Sequence, residues 1–308
     1  MKSKETHVTD HTPSSPIAFR SGFVAIIGAP NAGKSTLLNR ILGEKISITS
    51  KKPQTTRNRI MGVAHRESAQ IVFVDTPGIH KTSSLLNEKI VATAVSAISD
   101  VDLILFLVDA ASPETHSELL ILNTMAAQKK PVILGINKID LVKKGNLLPM
   151  IDEWAAHHQF AHILPISAKH GDQVDTLISA MEQALPEGPP FFPEDTLTDL
   201  SERFIVAEMI REKIFRNTGQ EIPYAIAVTI EAFEVKNKRA TIHACIHVEK
   251  SSQKGIIIGK GGTKLTLIGK DARRDIEKLL GLPVYLKLFV HVQKNWSRDT
   301  RALRRFGY

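Results

Sequence analysis

The chain has 308 residues and a single cysteine, Cys245. One thiol excludes an internal disulfide and fits a reducing compartment, so a cytoplasmic protein is expected. Cys245 lies in ATIHACIHVEK, which alternates like a strand. No signature of thiol chemistry surrounds it, so it reads as a sheet residue. Long apolar runs are also missing. The richest, VDLILFLVDAA, carries Asp102 and Asp109 and falls well short of the ~20 residues that a bilayer span requires. The first nineteen residues, MKSKETHVTDHTPSSPIAF, lack the apolar core of a secretory leader and read as a disordered tail, assigned here to residues 1–20. There is no internal repeat, which excludes a solenoid.

Charge of one sign is scarce over most of the chain and concentrated at one end. The net charge is +8, yet Lys250 to Tyr308 alone hold fourteen Lys plus Arg against four Asp plus Glu. A basic end on a near-neutral body points to a polyanion partner there. An anionic lipid surface fits the same charge, so peripheral contact with a membrane stays open.

Between residues 21 and 186, short Val- and Ile-rich runs (GFVAIIG, AQIVFVD, VDLILFLVD, PVILGIN, HILPIS) alternate with helical stretches (KSTLLNRIL, LLNEKIVATAVSAIS, HSELLILNTMAAQ, VDTLISAMEQAL). Strands without polar alternation are buried on both faces, so the expectation is a doubly wound, mostly parallel α/β sheet. PEGPPFFPED carries four prolines and opens a linker over 187–200. Any signal between the units would then cross that linker as a change of domain orientation. From 201 to 308 the pattern is helix, strand, strand, helix, helix, strand, a small α+β domain. Gly269 is a candidate break in its helical stretch GTKLTLIGKDARRDIEKLL.

GAPNAGKS, 28–35, follows a predicted strand and opens a predicted helix, the setting of a phosphate loop. Its glycines let backbone N–H groups face a phosphate, Lys34 would reach the β- and γ-phosphates, and Ser35 would ligate Mg²⁺. The phosphate-binding set is Gly28, Asn31, Ala32, Gly33, Lys34, Ser35 and Thr36, with Gly78 added from DTPG. In NKID, Asp140 could accept two hydrogen bonds from guanine N1–H and its amino group, which adenine does not offer. Asn137 would brace this loop against the phosphate loop, and the stem of Lys138 would cover the base. In SAK (Ser167, Ala168, Lys169) the Ala168 N–H could meet guanine O6. Asp75 would hold Mg²⁺ through water. In PQTTR a threonine could complete the metal shell, with Thr56 preferred over Thr55.

These five strings, in this order, resemble the G-motifs of the translation-factor class of GTPases. With the second domain, the chain resembles the Era family of bacterial GTPases from about Gly22 to Tyr308. The resemblance implies GTP binding and hydrolysis to GDP, with Lys34, Thr56, Gly78 and Asn31 in catalytic roles. Ile79 stands where Ras-like enzymes carry a water-orienting glutamine, so backbone groups would place the water. Asn31 matches the asparagine that contacts K⁺ in some relatives, although a brace within the loop is an equal reading.

A second glycine-rich loop, GKGG at 259–262, lies in the basic segment. A G-x-x-G loop between helices clamps the backbone of single-stranded RNA beside an apolar groove. This resembles a KH domain of the bacterial type. The expected RNA contacts are Ile258, Gly259, Lys260, Gly261, Gly262, Lys264, Lys270, Arg273 and Arg274. The family resemblance further implies the 3′ end of 16S ribosomal RNA as partner, a role in 30S subunit assembly, and a monomer. Trp296 and Tyr308 could stack on bases or pack against the domain. Two other classes compete. A P-loop kinase or ATPase conflicts with NKID and SAK, and a passive scaffold conflicts with the intact Lys34, Ser35 and Asp75.

Overall fold

The computed structural model describes residues 18–49, 60–75, 100–113, 115–126, 129–218 and 226–306. PQTTR, Thr76 to Gly78, Ile79, the predicted helix at 85–99 and Tyr308 lie outside them.

The first unit is a six-stranded sheet in the order β2-β3-β1-β4-β5-β6. Its strands are β1 (Arg20–Gly28), β2 (Ile60–His65), β3 (Ala69–Asp75), β4 (Leu103–Asp109), β5 (Val132–Asn137) and β6 (His162–Pro165). All neighbours run parallel except β2, which pairs antiparallel with β3. Alternate residues of each central strand enter two separate cores. Ile26, Phe73 and Leu105 face helices α1 (Lys34–Leu42) and α4 (Val174–Ala184). Ile27, Val74 and Phe106 face α2 (Thr115–Ala126) and α3 (Leu147–His157). Both faces are covered, which explains why these strands carry almost no polar residue. The expected doubly wound fold is what the chain adopts. β2 and α3 are additions to the sequence reading.

The second unit is a three-stranded sheet, β7 (Ile226–Lys236), β8 (Arg239–Val248) and β9 (Val284–Val292), with β9 parallel to β8 and at the edge. Helices α5 (Glu202–Asn217), α6 (Ser251–Ile258) and α7 (Thr263–Leu280) cover one face, packing Ile210, Ile257, Ile268 and Ile276 onto Ile242 and Ile246 of β8. Gly269 does not break α7. A Cβ there would sit 3.5 Å from the Leu288 side chain, an ordinary contact distance, so no clash requires the small residue. The short C-terminal helix α8 (Thr300–Arg305) closes the end of the sheet. Trp296 is fully buried with Ala227, Leu303 and Phe306. It packs, and it offers no face to a base.

The proline-rich segment does not run free. Phe191 and Phe192 donate their N–H groups to Gln70 Oε1, Ser21 Oγ donates to the Pro189 carbonyl, and Val63 N–H donates to Leu197 O at 2.8 Å. Residues 187–200 therefore line the β2 side of the first sheet before the chain enters α5.

Candidate nucleotide site and RNA interface

Four of the five nucleotide motifs follow the carboxyl end of a parallel strand, where ligands bind in such sheets, and the fifth, PQTTR, lies outside the described residues. β1 ends at Gly28, β3 at Asp75, β5 at Asn137, and SAK follows β6. The phosphate loop between β1 and α1 is closed by its own bonds. Lys34 is 6 % exposed and donates to the carbonyls of Gly28 and Ala29, both at 2.9 Å. A side chain at Gly33 is excluded: its φ is +103°, and a Cβ would lie 2.1 Å from Asn137 Nδ2. A Cβ at Gly28 would lie 2.2 Å from the Leu107 carbonyl oxygen. Asn31 is exposed and left-handed (φ 65°), so its side chain stands clear of the loop core. Ala32 is buried, leaving only its backbone for a phosphate, and Thr36 sits half-buried in the first turn of α1.

Ser35 Oγ donates to Asp75 Oδ2 at 2.9 Å, and Ser47 Oγ donates to the same oxygen at 3.0 Å. Asp75 is fully buried. A buried carboxylate with a hydroxyl beside it is the hard-oxygen set that Mg²⁺ takes, so these residues fit the metal that a bound triphosphate would bring. Asn39, a residue that no motif marks, holds the neighbouring segment. Its Oδ1 accepts from the N–H groups of Ile46 and Ser47, and its Nδ2 donates to Ser47 O at 2.6 Å.

Asn137 is 2 % exposed and bridges two loops. Nδ2 donates to Ala32 O at 2.7 Å, and Oδ1 accepts from the Ala168 N–H at 2.9 Å. That second bond gives the buried Ala168 N–H a partner of its own, so meeting a guanine O6 would require that bond to be shared or exchanged. Ser167 Oγ donates to Asp140 Oδ1 at 2.7 Å. This bond, helped by the backbone and by His170 and Lys169, holds the Asp140 carboxyl below its usual pKa against the opposing effect of burial. The carboxylate is thus ionised and oriented as a double acceptor. Lys138 is left-handed and its ammonium is paired with Asp109, the last residue of β4. Asp109 looked like an interruption of an apolar run; it anchors Lys138. Arg40 donates to the carbonyls of Ala168 and Lys169, tying SAK to the phosphate-loop helix.

The second loop is built differently. Gly259 (φ 71°), Gly261 (φ 61°) and Gly262 (φ 80°) all adopt positive φ between α6 and α7. At Gly259 a Cβ would also meet Lys264 Cβ at 2.8 Å, whereas nothing lies within 4 Å of one at Gly261 or Gly262. Lys260 is exposed and Ile258 half-buried beside it. The basic residues of α7 do not form one row. At 3.6 residues per turn, Lys264 and Arg273 fall on opposite flanks, while Lys270 and Arg274, four apart, share the outer face. Arg273 also lies 3.8 Å from Glu277.

The two units touch directly. Glu212 of α5 is fully buried and accepts from Lys45, from Arg216 at 2.6 Å and from Thr49 Oγ1 at 3.1 Å. Asp275 of α7 accepts from Lys45 at 2.9 Å and from Lys213. Burial opposes ionisation of Asp275, but the hydrogen bonds from these two lysines outweigh it and lower its pKa. A signal between the units need not pass through the proline segment, because residues 45–49 connect them side chain to side chain.

A phosphate loop, a guanine-type acidic acceptor in the turn after β5 and a G-x-x-G domain define a P-loop GTPase joined to an RNA-binding module. Family models agree: residues 23–138 match a family described as 50S ribosome-binding GTPase, and residues 221–297 match the KH domain. The chain is 56 % identical to GTPase Era of Geotalea uraniireducens over 291 residues, covering 94 % of this chain and 98 % of that protein. It is 55 % identical to GTPase Era of Geobacter metallireducens over 292 residues, with the same coverage. Two solved structures superpose with a TM-score of 0.90 at 43 % identity, over 94 % of this chain and 99 % of theirs. One is a point variant of Aquifex aeolicus Era bound to GDP·AlF₄⁻, the other Era in complex with MgGDPNP and nucleotides 1506–1542 of 16S ribosomal RNA. The chain belongs to the Era family of GTPases and is a GTP hydrolase.

Proposed function

We propose that this GTPase uses GTP to control the grip of its KH domain on the 3′ end of 16S ribosomal RNA during 30S subunit assembly. The relative solved with MgGDPNP and that RNA segment supports the choice of ligands. One run of bonds carries the idea of control. Ser47 shares Asp75 with Ser35, while Lys45 and Thr49, two residues to either side, hold Glu212 of the KH unit. A metal-bound triphosphate would draw Ser35 and Asp75 to itself, and the loss of the Ser47 contact would reach Glu212 within two residues.

In this reading Asp140 selects guanine, Asn137 fixes the loops, and Lys138 covers the base. Lys34 offsets charge on the β- and γ-phosphates, with Gly28, Ala32, Gly33 and Thr36 contributing backbone around them. Mg²⁺, held by Ser35, Asp75 and Thr56, would neutralise charge on the same oxygens. Gly78 would sense the γ-phosphate. Asn31 is exposed and left-handed, and in this reading it would contact K⁺. Hydrolysis should then run faster in K⁺ than in Na⁺ buffer, and equal rates would remove K⁺ from the account. The protein acts as a monomer in this scheme.

The test is binding of an oligonucleotide copying the 16S 3′ end, with GDP and with a non-hydrolysable GTP analogue at fixed salt. Tighter binding with the analogue, and a smaller difference in Glu212→Gln, are expected. Equal affinity in both nucleotide states of the wild type would sink the control. Among the described residues no helix is long and apolar enough to cross a membrane. The basic C-terminal segment leaves peripheral lipid contact as a second reading, which vesicle sedimentation with competing RNA would separate from RNA binding.

A further inference from the structure

The outer face of the KH sheet lies opposite the helices that carry the GKGG loop. On β9 the outward residues are Tyr285, Lys287, Phe289 and His291, all exposed. Tyr285 is 46 % and Phe289 45 % exposed, among the most open large apolar side chains described. Bare aromatics on an edge strand are an aggregation hazard unless they serve a partner.

Their surroundings indicate which partner. His243, facing out from β8, lies 6.4 Å from both the Tyr285 and Phe289 rings, so three rings form a ladder. Arg239 stands 5.7 Å over Tyr285, and Lys287 stands 5.0 Å from Phe289. No carboxylate lies on the outer face of β8 or β9. The acidic residues sit on β7, where Glu234 is already paired with Lys236 at 2.8 Å. A ladder of rings, each next to a fixed cation or a histidine, matches a strand that alternates flat bases with phosphates. Side chains that stack any base while cations track the backbone bind single-stranded nucleic acid with little sequence preference.

We infer that the outer face of the β8–β9 pair is a second surface for single-stranded RNA, separate from the GKGG loop. It stacks bases on Tyr285, His243 and Phe289 and draws phosphates to Arg239 and Lys287. Because β9 is the edge strand and also touches α6 and α7, a strand held by the loop can pass over that edge onto this face without crossing the rest of the sheet. The surface does not require the loop's RNA to be ribosomal, so it stands or falls separately from the proposed function.

The experiment is photo-crosslinking of the full chain to a decauridylate carrying 4-thiouridine, with adducts mapped by peptide mass spectrometry. Adducts are expected on the peptide holding Tyr285 to Phe289. They should persist in Gly261→Asp and fall at least about fivefold in the double variant Tyr285→Ser, Phe289→Ser, whose inward residues are unchanged. In direct binding, a single-stranded extension added to the 16S 3′-end oligonucleotide should raise affinity about tenfold in the wild type and not in the double variant. Adducts confined to the loop, loss of β9 adducts in Gly261→Asp, or absence of adducts altogether would overturn the inference. If the 3′-end oligonucleotide fails to bind through the loop while β9 adducts remain, the proposed function fails and this surface survives.

Discussion

The two glycine-rich loops look alike in sequence and are opposite in construction. GAPNAGKS is braced from all sides. Its lysine is buried on its own carbonyls, Asn137 holds its backbone, and the Cβ positions at Gly28 and Gly33 are already occupied by neighbours. GKGG is open. Gly261 and Gly262 have empty space around them and are glycines for their backbone conformation alone. A nucleotide needs a rigid cradle whose N–H groups are set before it arrives, whereas a nucleic-acid strand needs a turn that its backbone can approach from outside. Glycine excludes side chains at Gly28 and Gly33 of the first loop, whereas at Gly261 and Gly262 of the second it serves positive φ alone.

The comparison can be broken or sharpened by substitution. The largest effect is expected for Asn137→Ala, which strands the buried Ala168 N–H and frees the Ala32 carbonyl. At roughly 1–3 kcal/mol for each lost partner, GDP affinity should fall by about a hundredfold, measured with a fluorescent GDP. RNA binding without nucleotide should be unchanged. Gly261→Asp comes next. Aspartate tolerates a positive φ, so the fold should survive, but its charge faces the phosphates and RNA affinity should drop about tenfold or more. Glu212→Gln removes a buried charge shared by Lys45 and Arg216, both partly exposed. A loss of about 1–2 kcal/mol in denaturant unfolding is expected, because the amide still accepts hydrogen bonds.

The smallest effect concerns His247, whose pKa is pushed down to about 4 by burial and then by His291 and Arg305. Its stabilising contribution is complete above about pH 6.5. As pH falls from there toward 4, the unfolded chain binds a proton that the folded chain refuses, so stability drops. With screening by solvent, the loss is about 1 kcal/mol. Thermal unfolding at pH 7 and pH 4.5 should show it, and His247→Phe should flatten the difference.

Much of this was legible because each nucleotide motif ends an apolar strand at fixed spacing. The run QIVFVD predicts β3 and an aspartate at its end, while the full burial of Asp75 came only with the fold. β2 was not legible: IMGVAH is a short edge strand whose Gly62 exists to admit the Leu42 side chain, and glycine reads as a breaker. α3 was hidden by Pro149, which is tolerated only because it lies in the first turn. Gly269 misled in the same way: the helix runs through it unbroken, carried by the face that buries Ile268, Ala272 and Ile276. The Lys45 contacts lie beyond any local pattern, because Glu212 and Asp275 are 167 and 230 residues away. The Ala168 N–H shows a further limit, as sequence gives a group's capacity to bond and the fold decides which partner receives it.

The most direct measurement is guanine-nucleotide and RNA affinity, each determined on both Asn137→Ala and Gly261→Asp. The account predicts a crossed result: the first variant loses nucleotide and keeps nucleotide-free RNA binding, while the second loses RNA and keeps GDP affinity within about twofold. Parallel losses of both ligands in Gly261→Asp would contradict it, because the open loop would then be part of the nucleotide site's framework rather than an independent clamp.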